Sequence, residues 1–229
     1  MAGSLTDEDQ VRRLIDDTVG EYGRIDILVN LAGGLSRYKP AIEHSLDDWH
    51  VEVDNNLLSA FLTSRAAFPL LQAAGNGVII NFARAGQPQA NMVAYNCAKA
   101  GIEALTRTLA LEGRDLGIRV NAIAPGLVDT ASNIAAMKPK DLKRWTKRED
   151  IAETVVFLAS PTAAGITGQV VAVRLGIIAR TLQGRPAHPT DGPVSRWNGI
   201  TRRPACFHEA LHPKKRPRKV LARSPARVR

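Results

Sequence analysis

Cysteine is nearly missing from this sequence: there are two in 229 residues, Cys97 and Cys206. That excludes a disulfide framework and a cysteine-held metal cluster, and makes a reducing cytoplasm the expected setting. Long hydrophobic runs are missing as well. The apolar stretches near Ile27 and Val170 are strand-sized, well short of the roughly 20 residues of a membrane span, so no membrane partner is expected. Met1–Glu8 is polar and acidic and does not read as a signal peptide. With 45% of its residues hydrophobic, the chain has material for one domain with a proper core.

Negative charge is scarce in one region only. From Arg174 to Arg229 there are 14 Lys and Arg against 2 Asp and Glu, and 7 of the 13 prolines. The remaining 173 residues hold 17 of the 31 basic and 20 of the 22 acidic residues. The net charge of +9 therefore belongs to a basic tail on a mildly acidic body. The tail has no sustained period, and such composition favours disorder. A basic cluster such as 214–219 can serve nucleic acid or nuclear import, but the body shows no such bias, and nucleic acid is not an expected partner.

The body alternates helix and strand. Thr6 is placed to open a helix with Asp7, Glu8 and Asp9 in its first turn and Val11, Leu14, Ile15 and Val19 at helical spacing. Strands are expected at 25–29, 77–81, 118–123 and 168–173, and helices at 46–71, 93–111 and 149–159. The second helix should turn Trp49, Val53, Leu57, Phe61 and Ala66 inward. Strands of near-continuous Val and Ile between helices predict a doubly wound parallel sheet covered on both faces.

Tyr95 and Lys99 lie four apart on the helix 93–111, hence on one face, a turn apart. A cation within about 4–6 Å favours a phenolate, and a tyrosine so tuned can pass a proton to or from a carbonyl or alcohol oxygen. Alone, the pair is weak, because it arises by chance on many helices. Its surroundings are Val93–Glu112, Gly117–Gly126, Asp26–Gly33, Asn56–Phe61, Arg148–Ser160 and Ile166–Gln169. In this order and at these distances, the set resembles the short-chain dehydrogenase/reductase family, nearest to its acyl-carrier-protein-reductase-like members, over about Leu5–Val173.

The resemblance implies a Rossmann-like α/β domain over 1–173, and an NAD- or NADP-dependent oxidoreductase interconverting a carbonyl and a secondary alcohol. It implies that Tyr95 is the acid/base, that Lys99 binds the nicotinamide ribose and lowers the tyrosine pKa, and that the backbone of Asn56 holds a water in a proton relay to that lysine. Asn30, Ala32 and Gly33 match the Asn-Asn-Ala-Gly turn near the cofactor, with Leu31 at its second Asn. Pro125 and Gly126 match the loop against the nicotinamide, and Thr130 more loosely the threonine that holds the carboxamide. Partners implied are a small carbonyl or alcohol substrate and further copies of the chain, since helices such as 46–71 and 93–111 form the family's four-helix dimer interface. On the residues themselves, Asn30 reads equally as a plain turn residue, Asn121 as a bridge at the strand edge and Cys97 as a small buried side chain.

Three departures stand out. The family's Gly-rich turn, whose backbone takes the cofactor pyrophosphate, has no counterpart here, so the sheet is expected to be incomplete at the N-terminus. The catalytic serine is replaced: aligned from the strand its position is Arg84, aligned from Gly86 it is Ala83. The last strand should lead into Asp-Gly-Gly, but leads into Arg174-Leu175-Gly176 and the tail 174–229. A shift of reading frame in GC-rich coding sequence would produce this more simply than a second domain. Weak or absent activity is therefore expected, with a non-catalytic fragment acting through helix-mediated association as the alternative.

Overall fold

The computed structural model describes residues 3–174. The expected tail, from Leu175 onward, lies outside the described residues. Helix α1 (Glu8–Tyr22) is capped by the Asp7 side chain on the Gln10 amide, so the cap sits one residue later than the Thr6 expected from sequence. Gly23 ends it at φ +80°, as a left-handed C-cap requires.

Four strands follow: β1 (Ile27–Asn30), β2 (Gly77–Phe82), β3 (Ile118–Pro125) and β4 (Val170–Val173). They form one fully parallel sheet in the order β1-β2-β3-β4. The intervening helices are α2 (Leu46–Val53), α3 (Ser59–Ala74), α4 (Val93–Gly113), the short α5 (Ala131–Met137) and α6 (Arg148–Ala159). Residues alternate between two buried faces, as the near-continuous Val and Ile runs require. On one face Ile79, Ile118 and Val120 pack with Ile15, Ala67, Leu71 and Ala110 of α1, α3 and α4. On the other Val78, Ile80, Phe82 and Ile123 pack with Ile151 and Leu158 of α6. Arg119 closes the C-terminal end of α6, donating to Leu158 O (2.8 Å) and Ser160 O (3.2 Å), a favourable place for a cation.

The long helix expected over 46–71 is two α-helices joined by a π-turn, Asp54–Leu58. A π-turn adds a residue to one turn and so shifts the inward face. Glu52, Asn56, Ser59, Leu62, Thr63, Ser64, Ala67 and Leu71 are buried, while Trp49 and Phe61, expected inside, are 37% and 40% exposed. By length and apolarity alone the run Leu46–Ala74 could cross a membrane. Here it packs on α1, α4 and β1, with its hydroxyl and amide side chains turned into the core.

Candidate active site at the strand ends

The first turns of α4 carry Tyr95 and Lys99 past the C-terminal end of β2. Lys99 is 7% exposed, and its Nζ donates to Phe82 O at 2.9 Å. The same Nζ lies 5.8 Å from the Tyr95 ring centroid. Burial pulls the Lys99 pKa down to about 8, against the opposing pull of the Glu52 carboxylate. Burial pushes the Tyr95 phenol up; Arg84 acts to lower it and Glu52 to raise it further. The lowering expected from the Tyr–Lys pair is thus reversed. The ammonium is tied to a backbone carbonyl and faces the ring, so loss of solvent decides the direction.

Asn56 sits in the π-turn, 1% exposed. Its amide nitrogen donates to Gly34 O and Glu52 O, both at 2.9 Å, and its Oδ1 accepts from the Gly34 amide at 2.9 Å. This clamp explains Gly33: at φ +130°, a Cβ there would stand 2.5 Å from Asn56 Oδ1. Beside it Glu52, fully buried, accepts from the Ser36 amide (2.6 Å) and the Arg37 amide (2.5 Å). Sequence reasoning missed Glu52. A glutamate between Val51 and Val53 on a surface-facing helix reads as solvated, and only the phase shift before Asn56 turns it inward. Ala32 and Gly33 lie exposed in the loop after β1.

Asn30 lies away from these groups, in a buried polar cluster. Its Nδ2 donates to Asn81 Oδ1 (2.8 Å) and Ser64 Oγ (2.9 Å), and its Oδ1 accepts from Thr63 Oγ1 (2.7 Å). Asn81 in turn donates to Thr106 Oγ1 at 2.9 Å. These bonds join β1 and β2 to α3 and α4, the structural side of the sequence reading. Asn121 bridges β3 to the segment before β4, donating to Ile166 O and accepting from the Gln169 amide. Thr130 caps α5 through the Asn133 amide. Pro125 ends β3, and Gly126 leaves no room for a side chain: a Cβ would be 2.9 Å from Arg174 Cβ. Cys97 is exposed, not buried as expected, because α4 turns Ala94 and Ala98 to the core instead.

The two candidate serine positions separate cleanly. Ala83 is buried with Ala60, Ile102, Ala122 and Ala124. Arg84 is partly exposed; its Nη1 donates to Gln87 O at 2.9 Å, and its charge bears on Tyr95.

A family model described as enoyl-(acyl carrier protein) reductase matches residues 1–177. The chain is 33% identical to the 3-oxoacyl-[acyl-carrier-protein] reductase of Thermotoga maritima, over 76% of this chain and 75% of that protein. It is 35% identical to the cis-4-hydroxycyclohexanecarboxylate dehydrogenase of Sinomonas cyclohexanicum, over 76% and 74%. The chain belongs to the short-chain dehydrogenase/reductase family. Among solved structures it is similar to a 7α-hydroxysteroid dehydrogenase complexed with NADH and 7-oxo glycochenodeoxycholic acid, with TM-score 0.68 and 30% identity over 74% of this chain and 70% of that one. The Rossmann-like parallel sheet and the family's use of NAD or NADP stand with it.

The short-chain dehydrogenase/reductase cofactor fits one half of this site. Among the described residues Phe82 O is the hydrogen-bond acceptor of Lys99 Nζ, so an ammonium able to make several such bonds keeps donors for ribose hydroxyls. No Gly-rich turn occurs among residues 1–229, and none of these residues is assigned to the pyrophosphate.

Proposed function

We propose that Tyr95, Lys99 and Asn56 form the proton-transfer half of an NAD(P)(H)-dependent oxidoreductase site acting on a carbonyl or secondary alcohol. The observation that carries this reading is the buried Lys99 beside Tyr95 at the strand ends, where open α/β sheets bind their ligands. NAD or NADP, when bound, supplies or takes the hydride. In reduction Tyr95 Oη gives its proton to the substrate oxygen; in oxidation it receives one. A phenol is protonated at neutral pH at its ordinary pKa of about 10, and burial pushes Tyr95 further in that direction, which suits reduction. Lys99 holds ribose hydroxyls through the donors that Phe82 O leaves free. Asn56 is the positioning residue, fixing the loop after β1 through Gly34. Asn30, Ala32 and Gly33 shape the turn, and Pro125 and Gly126 the opposite wall.

Turnover should be very slow. A site without its oxyanion-type donor typically loses about 10²–10³ in rate, and Ala83 and Arg84 stand where the serine belongs. No Gly-rich turn lies within residues 1–229, so this polypeptide is expected to bind NADH and NADPH weakly. Fluorescence titration with NADH and NADPH, followed by an assay on small ketones and acyl thioesters, tests this. Weak binding with trace turnover that vanishes in Tyr95→Phe supports the reading. Turnover unaffected by Tyr95→Phe refutes it. A second reading, a non-catalytic protein that associates through its helices, is favoured by the exposed Trp49 and Phe61 on α2 and α3.

A further inference from the structure

Three cations gather at the C-terminal ends of the strands. Lys99 reaches Phe82 O, two residues before Arg84. Arg84 follows β2 and donates to Gln87 O. Arg174 follows β4, and its guanidinium lies over the same turn: a Cβ on Gly86 would be 3.6 Å from Arg174 Nη1. Glu52, whose charge bears on Lys99 and Tyr95, and Asp129, three residues past Gly126, are each engaged with other groups. Glu52 is fully buried and accepts from the Ser36 and Arg37 amides. Asp129 faces Arg148 at 3.4 Å and accepts from its amide. Among the described residues neither Arg84 nor Arg174 has a carboxylate partner.

We propose that Arg84, with Arg174 beside it, binds an anionic oxygen group on the substrate, so that the reacting carbonyl or alcohol belongs to an oxo- or hydroxy-acid. The inference rests on the reading of Tyr95 as the proton donor. A guanidinium presents a planar array of donors that matches a carboxylate or phosphate in bidentate fashion. Aligned from β2 it stands where the family has a serine, and there it would exchange polarisation of the reacting oxygen for attraction of a charge elsewhere on the substrate. Arg84 Nη1 donates to Gln87 O and Arg174 Nη1 stands over Gly86, so the proposed anion sits at the turn 84–87, on the Tyr95 side where the charge of Arg84 already bears on the phenol.

The test is equilibrium binding to the full chain, followed by saturation-transfer NMR. The probes are 4-oxocyclohexanecarboxylate, its methyl ester and inorganic phosphate as competitor. The carboxylate should bind about tenfold or more tighter than the ester. That preference should disappear in Arg84→Gln, survive in part in Arg84→Lys and be unchanged in Arg107→Gln, whose side chain is paired with Glu103 on the surface. Phosphate displacing the carboxylate at lower concentration than carboxylate itself binds would support the anion site with phosphate as its source. Equal affinity for acid and ester, or a preference intact in Arg84→Gln, overturns the proposal. A carboxylate preference that persists in a chain whose turnover ignores Tyr95→Phe leaves the anion site standing and removes the catalytic reading. Turnover sensitive to Tyr95→Phe but equal for acid and ester removes the anion site alone.

Discussion

Lys99 is an ammonium with 7% of its surface exposed and, among the described residues, one backbone acceptor, Phe82 O, an arrangement that favours chemistry over stability. Its pKa falls from 10.5 to about 8 on folding. The unfolded chain therefore holds the proton more tightly, and stability must rise with pH between about 8 and 10.5. Below pH 8 the folded state bears the full cost of the buried charge. Lys99→Met removes that cost and gives up one hydrogen bond worth about 1 kcal/mol. It should stabilise the protein at pH 7 by on the order of 1–3 kcal/mol, with the gain shrinking as pH approaches 10.5, while cofactor binding weakens. Urea denaturation of both proteins at pH 7, 8.5 and 10 measures it. A pH-independent difference would show that Lys99 titrates normally.

Glu52 links two elements that sequence alone does not bring together. From α2 it holds the loop after β1 through the Ser36 and Arg37 amides, while Asn56, one helical turn on, holds Gly34. Glu52→Ala leaves two amides without their acceptor. Hydrogen bonds to charged groups contribute roughly 1.5–3 kcal/mol each, partly offset by removing a buried charge, so a loss of about 2–4 kcal/mol is expected. Glu52→Gln keeps an acceptor oxygen and should lose about half of that. Faster amide exchange at Ser36, Arg37 and Gly34 in Glu52→Ala, with exchange in β2 changed only by the global loss, would place the effect in this loop. The same segment marks where sequence reading stopped. The strands and the helices α1, α4 and α6 were legible to within two or three residues, because period and Gly or Pro boundaries are local signals, while the short α5 was not expected. The shared face of Tyr95 and Lys99 on α4 was legible from their four-residue spacing, but only the surrounding motifs singled the pair out from chance pairs on other helices. The π-turn was not legible, because no local pattern announces one added residue in a helix, and with it went the burial of Glu52 and the exposure of Trp49 and Phe61. The Asn30 cluster was legible only as a turn, since its partners Ser64, Asn81 and Thr63 are 33 to 51 residues away.

On the scale of the whole molecule, the two faces of the sheet are covered unequally. The first face is packed by α1, α3 and α4 along its length. On the second, α6 lies over β2, β3 and β4, and β1 turns Ile27, 48% exposed, and Val29, 39% exposed, away from the core. Among the described residues β1 also pairs on one edge only, with β2. An unpaired edge beside apolar side chains favours association with another strand or another copy. This edge offers a contact of its own beside the exposed Trp49 and Phe61. The chain should therefore self-associate, with the associated fraction rising with concentration. Val29→Lys places a charge where association would bury it, and should weaken the assembly by about tenfold or more, since burying one such side chain contributes about 1.5–3 kcal/mol. Its monomer should melt within a degree or two of the parent's, because Val29 touches little of the core. Sedimentation velocity over a hundredfold concentration range separates the outcomes. A parent chain that stays monomeric throughout, or a Val29→Lys variant that assembles as well as the parent, would show that the open edge of β1 takes no part in association.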